Sequence, residues 1–437
     1  MMSASGPAIV FTNTLTGERE TFTPRRAGKV ALFTCGPSVY SRPHIGNYRT
    51  YLYEDILHRF LVSRGYSLNR VLNFTDIEDK AIDEAKRRGL SLFDLTRPNE
   101  EQFLADADRL GIIRPSIIPR SSTSIPEAVR LISVLLDTGH AYWHRGDVFF
   151  DPLTHPEFGK LYGLDMSRWP KKRIRFRKDT YQGRRWNLGD FILWHGLKRG
   201  EDPAYAWETE IGPGRPAWNI QDPAMISKHL GYAVDICCGG VDNLYRHHDY
   251  NIAVLESVSG RELCHYWLHG ELLLVNGSKM SKSRGNIVYP DTLFNEGLTP
   301  DQLRYFLLSV HYRRTMNLTS RRQERAKERL NRLQAAIRDL ASGGGAAAPA
   351  ADSAVEGSGS IPEAVDRALA DDLDVPAAVT ALESWLSRQT EKKRRGELGR
   401  PELEEALAQL AAADRVLGFL GLVGSAETRG ASPAGSA

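Results

Sequence analysis

Along the first third of the chain, short apolar runs alternate with stretches in which apolar residues recur every three or four positions. Residues 30–34 (VALFT) run apolar into Cys35-Gly36-Pro37, which predicts a strand ending in a loop. From about Asn47 to Gly65, Tyr48, Tyr51, Leu52, Asp55, Ile56, Arg59 and Phe60 fall at helical spacing. LNRVLNFTD (68–76) then predicts a second strand with Asp76 at its C-terminal end. Strand, helix, strand in this order predicts a right-handed βαβ unit of a parallel sheet. Ligand sites in such sheets lie outside the carboxyl ends of the strands. Cys35, His44, Thr75 and Asp76 all fall near those ends.

The same pattern divides the rest of the chain. Residues 100–145 read as mostly helical, and 146–215 as irregular with many aromatic and basic residues. We expect an insertion over about 100–215, between two halves of the sheet. From about Asp235 a second half is predicted: DICCGG, a helix over 247–259, a strand-like ELLLV and a loop containing Lys279 to Ser283. An α/β Rossmann-type catalytic domain is therefore expected over 1–310, with connecting helices over 311–341. The stretch 342–360 is rich in Gly, Ala and Ser and reads as a flexible linker. A small helical bundle is expected over 361–421, its core formed by Leu369, Leu373, Val379, Leu382, Leu386, Leu407, Leu410, Val416, Leu417 and Leu420. Residues 422–437 read as a disordered tail.

Composition changes this picture little. The 437 residues carry 57 basic and 54 acidic groups, and this near balance neither demands nor excludes a nucleic-acid partner. No run of eighteen apolar residues exists, and the N-terminus lacks the basic start and apolar stretch of a signal peptide. The expectation is a cytoplasmic, monomeric protein with no membrane partner. Its four cysteines (Cys35, Cys237, Cys238 and Cys264) form no disulfide framework and read as thiols or metal ligands.

Two short constellations carry chemistry. Pro43-His44-Ile45-Gly46-Asn47 sits between a strand and a helix. There Gly46 lets a phosphate approach the backbone, the helix N-terminus supplies free N–H groups, and an imidazole can donate to phosphate oxygen. Lys279-Met280-Ser281-Lys282-Ser283 places two lysines among small polar residues on a loop. That suits a polyphosphate whose charge grows in the transition state. Either motif alone is a common chance match or a solvated basic loop. Together, in this order, they resemble the HIGH and KMSKS signatures of class I aminoacyl-tRNA synthetases.

Finer stretches narrow the resemblance. FTCGPSVYSRPHIGN, VLNFTDIEDKAI, GRPAWNIQDPAM, CCGGVDNLYRHHDYNIAVLES, GSKMSKSRGN and ALADDLDVPAAVTAL are similar to cysteinyl-tRNA synthetases, over roughly residues 8–420. The resemblance implies a HUP-like sheet, a DALR-like helical domain, and a ligase that uses ATP with Mg2+ to make an aminoacyl adenylate. It implies that His44, Asn47, Lys279 and Lys282 are catalytic, steadying the phosphates as pyrophosphate leaves. Gly46, Gly239, Gly240, Met280, Ser281 and Ser283 would bind ATP. Cys35, Thr75, Trp218, Asp222, Asp242, His247 and Asn251 would form the amino-acid pocket.

The family holds a zinc ion with two cysteines, a histidine and a glutamate, and the metal selects the thiol of cysteine. Here Cys35 and His247 keep two of those positions, while Asp222 and Asn251 replace a cysteine and the glutamate. Two readings stay open. A degenerate zinc site can be held by Cys35, Asp222 and His247, with Cys237 or Cys238 as candidate compensating thiols. Alternatively, a metal-free pocket reads a polar or basic side chain, with Asp222 as the specificity switch. Asn219 and Gln221 replace a histidine and a glutamate that the family uses near the nucleotide. The acceptor is open as well. The family's tRNA ligases continue into an anticodon-reading domain where this chain reads as a tail, and the related ligase of mycothiol biosynthesis passes cysteine to a small aminosugar. The basic stretches 171–179 and 321–329 could meet tRNA phosphates. Transfer to tRNA, transfer to a small amine or carrier, and a silent nucleotide-binding regulator are the three function classes. Intact His44, Lys279 and Lys282 speak against the last.

Overall fold

The computed structural model describes residues 6–168, 189–342 and 361–422. Its centre is a four-stranded parallel sheet made of β1 (Lys29–Thr34), β2 (Ser67–Leu72), β3 (Val234–Gly240) and β4 (Cys264–Gly270). The strand order is β4-β3-β1-β2. The chain therefore leaves β1 toward one edge for β2 and returns on the other side of β1 for β3. This reversal opens a crevice between the carboxyl ends of β1 and β3, where doubly wound sheets bind ligands. The register Thr34 to Cys238 puts Cys35 at the head of that crevice, with its N–H donating to the Cys238 carbonyl at 3.1 Å. β3 is buried along its whole length, as expected for a parallel strand covered on both faces.

Helix α1 (Ile45–Ser63) links β1 to β2. Its N-terminus is fixed by reciprocal caps: Gly46 N–H donates to His44 Nδ1 (3.1 Å), and His44 N–H donates to Asn47 Oδ1 (3.0 Å). α1 is buried on nearly every face because it lies between the sheet and C-terminal helices, so polar residues within it must be paired. Asp55 accepts from Arg59 Nε (2.7 Å), Arg304 Nη2 (2.6 Å) and Ile113 N–H (2.8 Å). Burial alone would raise its carboxyl, but Arg59 and Arg304 outweigh that and hold it well below the usual range. Arg304 also donates to the Leu417 carbonyl at 2.8 Å, which couples α1 to the helical bundle.

That bundle comprises helices Glu363–Ala370, Val375–Arg394 and Arg400–Leu417. Of the core residues read from sequence, all are buried except Leu407, which is half-buried against the core. Residues 343–360, 423–437 and the basic stretch 171–179 lie outside the described residues. The other basic stretch lies on the helix Ser320–Ala341, where Arg329 is engaged by Glu383 at 2.7 Å.

Several local expectations need correction. The strand read over 68–76 ends at Leu72. Beyond it, Phe74 and Thr75 bond across loops to Pro119 and Pro37. The stretch 100–145 is mostly helical, as read, through Leu92–Arg109, the short turn Ser121–Thr123 and Ile125–Asp137, but it ends in a strand. The stretch read as irregular holds most of an antiparallel sheet: Ala141–His144, Asp147–Phe150, Phe191–Gly196 and Gly214–Pro216. Its middle pairing joins Val148 to Trp194, too far apart in sequence to leave a hairpin signal. ELLLV contributes Leu273–Val275 to a separate small sheet, antiparallel to Ser278–Lys279 and parallel to Met316–Leu318. Among the described residues, no helix is long and apolar enough to cross a membrane.

Candidate active site

The crevice has two ends. At one, the loop after β1 and the start of α1 face the Lys279–Ser283 loop across a cleft of about 350 Å³. Its lining includes Tyr40, His44, Asn47, Lys80, Ser281 and Lys282. The two motifs, more than two hundred residues apart in sequence, touch directly. A Cβ on Gly46 would lie 2.9 Å from Met280 Cε and 3.0 Å from the His44 ring, so glycine lets the motifs close without displacing either neighbour. Asn286 ties the loop down, with Ser281 N–H donating to its Oδ1 at 3.0 Å and its Nδ2 donating to the Lys279 carbonyl at 3.3 Å. Lys282 Nζ sits 5.0 Å from the centre of the Tyr40 ring, a cation–π contact that holds the ammonium at the cleft. Lys279 and Ser283 are exposed, and Ser283 Oγ lies 3.3 Å from Ser281 Oγ.

His44 is electrically defined by its cap. Because Nδ1 accepts from Gly46, the neutral ring carries its proton on Nε2, the tautomer able to donate to a phosphate oxygen. Burial lowers its pKa, with Asp242 pulling it up and Lys279 pushing it down.

At the other end, side chains from the residue just after β1, from α2 (Trp218–His229) and from the turn before α3 (Asp249–Ser259) converge. Cys35 Sγ lies 3.0 Å from His247 Nε2 and 3.7 Å from Asp222 Oδ2, and His247 Nε2 lies 2.7 Å from Asp222 Oδ2. All three residues are buried. Burial, then the Asp222 charge, push the Cys35 thiol well up. Arg246, at a left-handed φ of 73°, is a non-glycine residue in strained backbone immediately before His247. The His247 ring stacks on Trp218 at 4.2 Å between centroids. One ring nitrogen of His247 meets both the thiol and the carboxylate. A thiol–imidazole–carboxylate proton relay needs two different nitrogens, so this cluster is not a nucleophile triad. Its three atoms face a common point.

Of the other residues singled out from sequence, Thr75 joins this end through Asn73, whose Nδ2 lies 3.5 Å from Thr75 Oγ1. Asp242 is exposed, within electrostatic reach of both His44 and Cys35. Asn251 is buried on α3, and among the described residues no hydrogen bond joins it to the cluster. Gly239 is tied by both backbone groups to Tyr53 Oη (3.1 and 2.8 Å), and its missing side chain admits the ring of His248. Gly240 N–H donates to Asn243 Oδ1 at 3.0 Å. Asn219 and Gln221 donate to backbone carbonyls, of Ile192 and of Ile77 and Pro216, so they serve as struts that tie α2 to the insertion and to the loop beyond β2. Asp76 is a strut too, accepting from Ser122 N–H at 2.9 Å. Cys237 and Cys238 are buried along β3 and supply no ligand atom to the cluster.

Sequence reasoning missed Asn73, Asn243 and Gly36. Asn73 Nδ2 donates to Asp222 Oδ1 (2.9 Å), its Oδ1 accepts from Gly36 N–H (2.9 Å), and Asn243 Nδ2 donates to Cys35 Sγ (3.6 Å). A Cβ on Gly36 would fall 1.6 Å from the Asn73 carbonyl oxygen. The available signal was position: Asn73 directly follows β2, at the same sheet edge as Cys35.

Comparison with known proteins gives the family. Residues 21–328 match the family model of the class I (C) tRNA synthetase catalytic domain. The chain belongs to this family of ATP-dependent ligases. It is 36% identical over 418 residues to a cysteine–tRNA ligase of Chlamydia pneumoniae, covering 95% of this chain and 87% of that protein. It is 38% identical over 336 residues to a cysteine–tRNA ligase of Brachyspira hyodysenteriae, covering 76% and 70%. In fold it is similar to Mycobacterium tuberculosis methionyl-tRNA synthetase in complex with methionyl-adenylate (TM-score 0.58, 18% identity, 92% and 89% covered). It is likewise similar to the Agrobacterium radiobacter K84 agnB2 LeuRS in a ternary complex with tRNA (TM-score 0.64, 14% identity, 93% and 85% covered).

Proposed function

We propose that this synthetase activates a thiol-bearing amino acid, cysteine, as its adenylate and transfers it to tRNA. A carboxylate oxygen of the amino acid attacks the α-phosphorus of ATP while the bond to pyrophosphate breaks. The residues at the motif end act mainly by position and charge. His44 Nε2–H donates to phosphate oxygen, and Lys279 and Lys282 meet the growing negative charge.

The observation that carries the amino-acid choice is the convergence of Cys35, Asp222 and His247. A circle through their three facing atoms has a radius of about 1.9 Å, shorter than a zinc–ligand bond of about 2.0–2.3 Å, so one ion can reach all three. Thiolate, carboxylate and imidazole are an acceptable zinc set, and two anionic ligands leave the loaded site neutral. Bound zinc would supply a soft Lewis acid that distinguishes a thiol from a hydroxyl. Asn73 and Asn243 orient the carboxylate and the sulfur from behind. The metal-free alternative, a pocket for a polar or basic side chain, finds less support. Both Asp222 oxygens are already engaged within the protein, by Asn73 and His247, so neither is left over to read a substrate side chain. For the acceptor, support comes from relatives such as the Chlamydia pneumoniae cysteine–tRNA ligase.

ATP–pyrophosphate exchange across all amino acids, with and without a chelator, tests this reading. Cysteine-dependent exchange that chelation abolishes is the expected result. Stronger exchange with a non-thiol amino acid would reject the substrate. Failure to charge total tRNA with an amino acid that is activated would instead point to a small amine or carrier as acceptor.

A further inference from the structure

Behind the Cys35–Asp222–His247 cluster lies a second imidazole that the reading above leaves unused. His248 is fully buried, and its Nδ1 lies 2.8 Å from His269 Nε2. His269 Nδ1 in turn lies 3.0 Å from Thr14 Oγ1. The remaining nitrogen, His248 Nε2, is buried without a hydrogen-bond partner. Such an orphaned polar atom calls for an explanation.

The hydrogen-bond chain supplies one. If His248 Nδ1–H donates to His269 Nε2, and His269 Nδ1–H donates to Thr14, every proton has an acceptor and His248 Nε2 is left as a bare lone pair. The opposite order would bury an N–H with nothing to receive it. Metal-bound histidines are held in this way, one nitrogen on the ion and the other donating to a fixed partner. Ligand atoms of Cys35, His247 and His248 lie within 4.8 Å of one another. Asp222 falls outside that group, so closing a tetrahedron with edges of roughly 3.5 Å on all four residues takes at least about 1 Å of His248 ring movement toward the cluster. Only a glycine at 239 permits the ring there, since a Cβ would sit 2.8 Å from His248 Cε1.

We propose that His248 Nε2 is a fourth protein ligand of a zinc-type cation held by Cys35, Asp222 and His247, with His269 and Thr14 orienting it. The proposal rests on the metal-loaded reading of the site, and it gives the role that Asn251 cannot fill to a residue on another face of the cluster.

Cobalt(II) alone, titrated into the metal-stripped full chain, provides the probe. One equivalent should bind, with a thiolate charge-transfer band that Cys35→Ser removes. His248→Asn keeps a donor for His269 while deleting Nε2. It should weaken cobalt binding by about 100-fold. X-ray absorption should count two imidazoles on zinc in the unaltered protein and one in the variant. Unchanged affinity in His248→Asn, or one imidazole in the unaltered protein, would overturn the assignment. Should that variant fail to fold, the imidazole count on the unaltered protein decides alone. Cobalt binding without cysteine-dependent exchange would sink the substrate reading and leave the ligand set standing, whereas no cobalt binding at all would sink both.

Discussion

The two ends of the crevice are built differently. At the motif end the reactive groups are held by backbone: a helix cap fixes His44, a glycine admits Met280, and Asn286 pins the Lys279–Ser283 loop. At the side-chain end they are held by one another, in a buried knot of thiol, imidazole and carboxylate braced by two asparagines. Phosphate chemistry is the same for any amino acid, so a backbone-built site serves every substrate. Selecting a side chain needs groups that can change one at a time, and Asp222 is such a change. The ends should therefore fail independently, and the sharpest tests ask whether they do.

The largest effect is expected at the motif end. Lys282→Ala should lower exchange by about a thousandfold for whichever amino acid is activated, because it removes charge stabilisation that strengthens toward the transition state. Cobalt binding should stay unchanged. A variant that lost metal as well as rate would show that the two ends are not separate.

Next is Asp222. Asp222→Asn keeps a hydrogen-bonding shape but loses the charge, and should weaken cysteine-dependent exchange about 100-fold through KM for the amino acid, with KM for ATP little changed. Asp222→Cys should retain cysteine as substrate. Were Asp222 reading a polar side chain directly, the same variant would move preference toward cysteine from some other amino acid, which exchange across all amino acids would reveal.

A smaller effect, about tenfold on rate, is expected from Gly46→Ala, whose new methyl must displace both Met280 and the His44 ring. Because Met280 is the flexible neighbour, Gly46→Ala with Met280→Ala should recover part of the loss. No recovery would mean that the His44 displacement alone matters.

How much of this was legible in the sequence follows the same division. The parallel sheet announced itself through apolar runs, and the motif end through contiguous residues around Gly46 and Met280 whose roles are local. The knot at the other end was legible only through resemblance, because Cys35, Asp222 and His247 come from three distant segments and no periodicity links them. Asn73 and Asn243 went unseen because an asparagine in a loop ordinarily reads as turn chemistry. The insertion sheet was hidden by long-range pairing between Asp147–Phe150 and Phe191–Gly196. Gln221 and Asn219 mark the limit of position-by-position carry-over, since both are turned into the scaffold.

The smallest effect concerns protons. Burial holds His58 and His155 down at about 4 and His269 at about 3, and it also lowers His44 and His248. The unfolded chain takes up protons on these rings near pH 6.5, whereas the folded protein refuses them until lower pH. Their contribution to stability is therefore complete above about pH 6.5 and is lost as pH falls through 6.5 toward 4. Glu54, raised by burial to about 8 despite Arg70, and Asp249, raised by burial to about 7, have the opposite sign. Their contribution is present below the ordinary carboxylate range and is lost as pH rises toward 7–8, so they oppose the histidines with fewer groups. Denaturant midpoints of the metal-stripped protein should thus fall between pH 6.5 and 5. Replacing His269 with asparagine should flatten that slope by about 1.4 kcal/mol per pH unit at most. His44→Asn should flatten it less, because that ring is only partly enclosed at the open cleft. Equal flattening from both would mean that the two ends are buried alike, contrary to the backbone-built and side-chain-built distinction drawn between them.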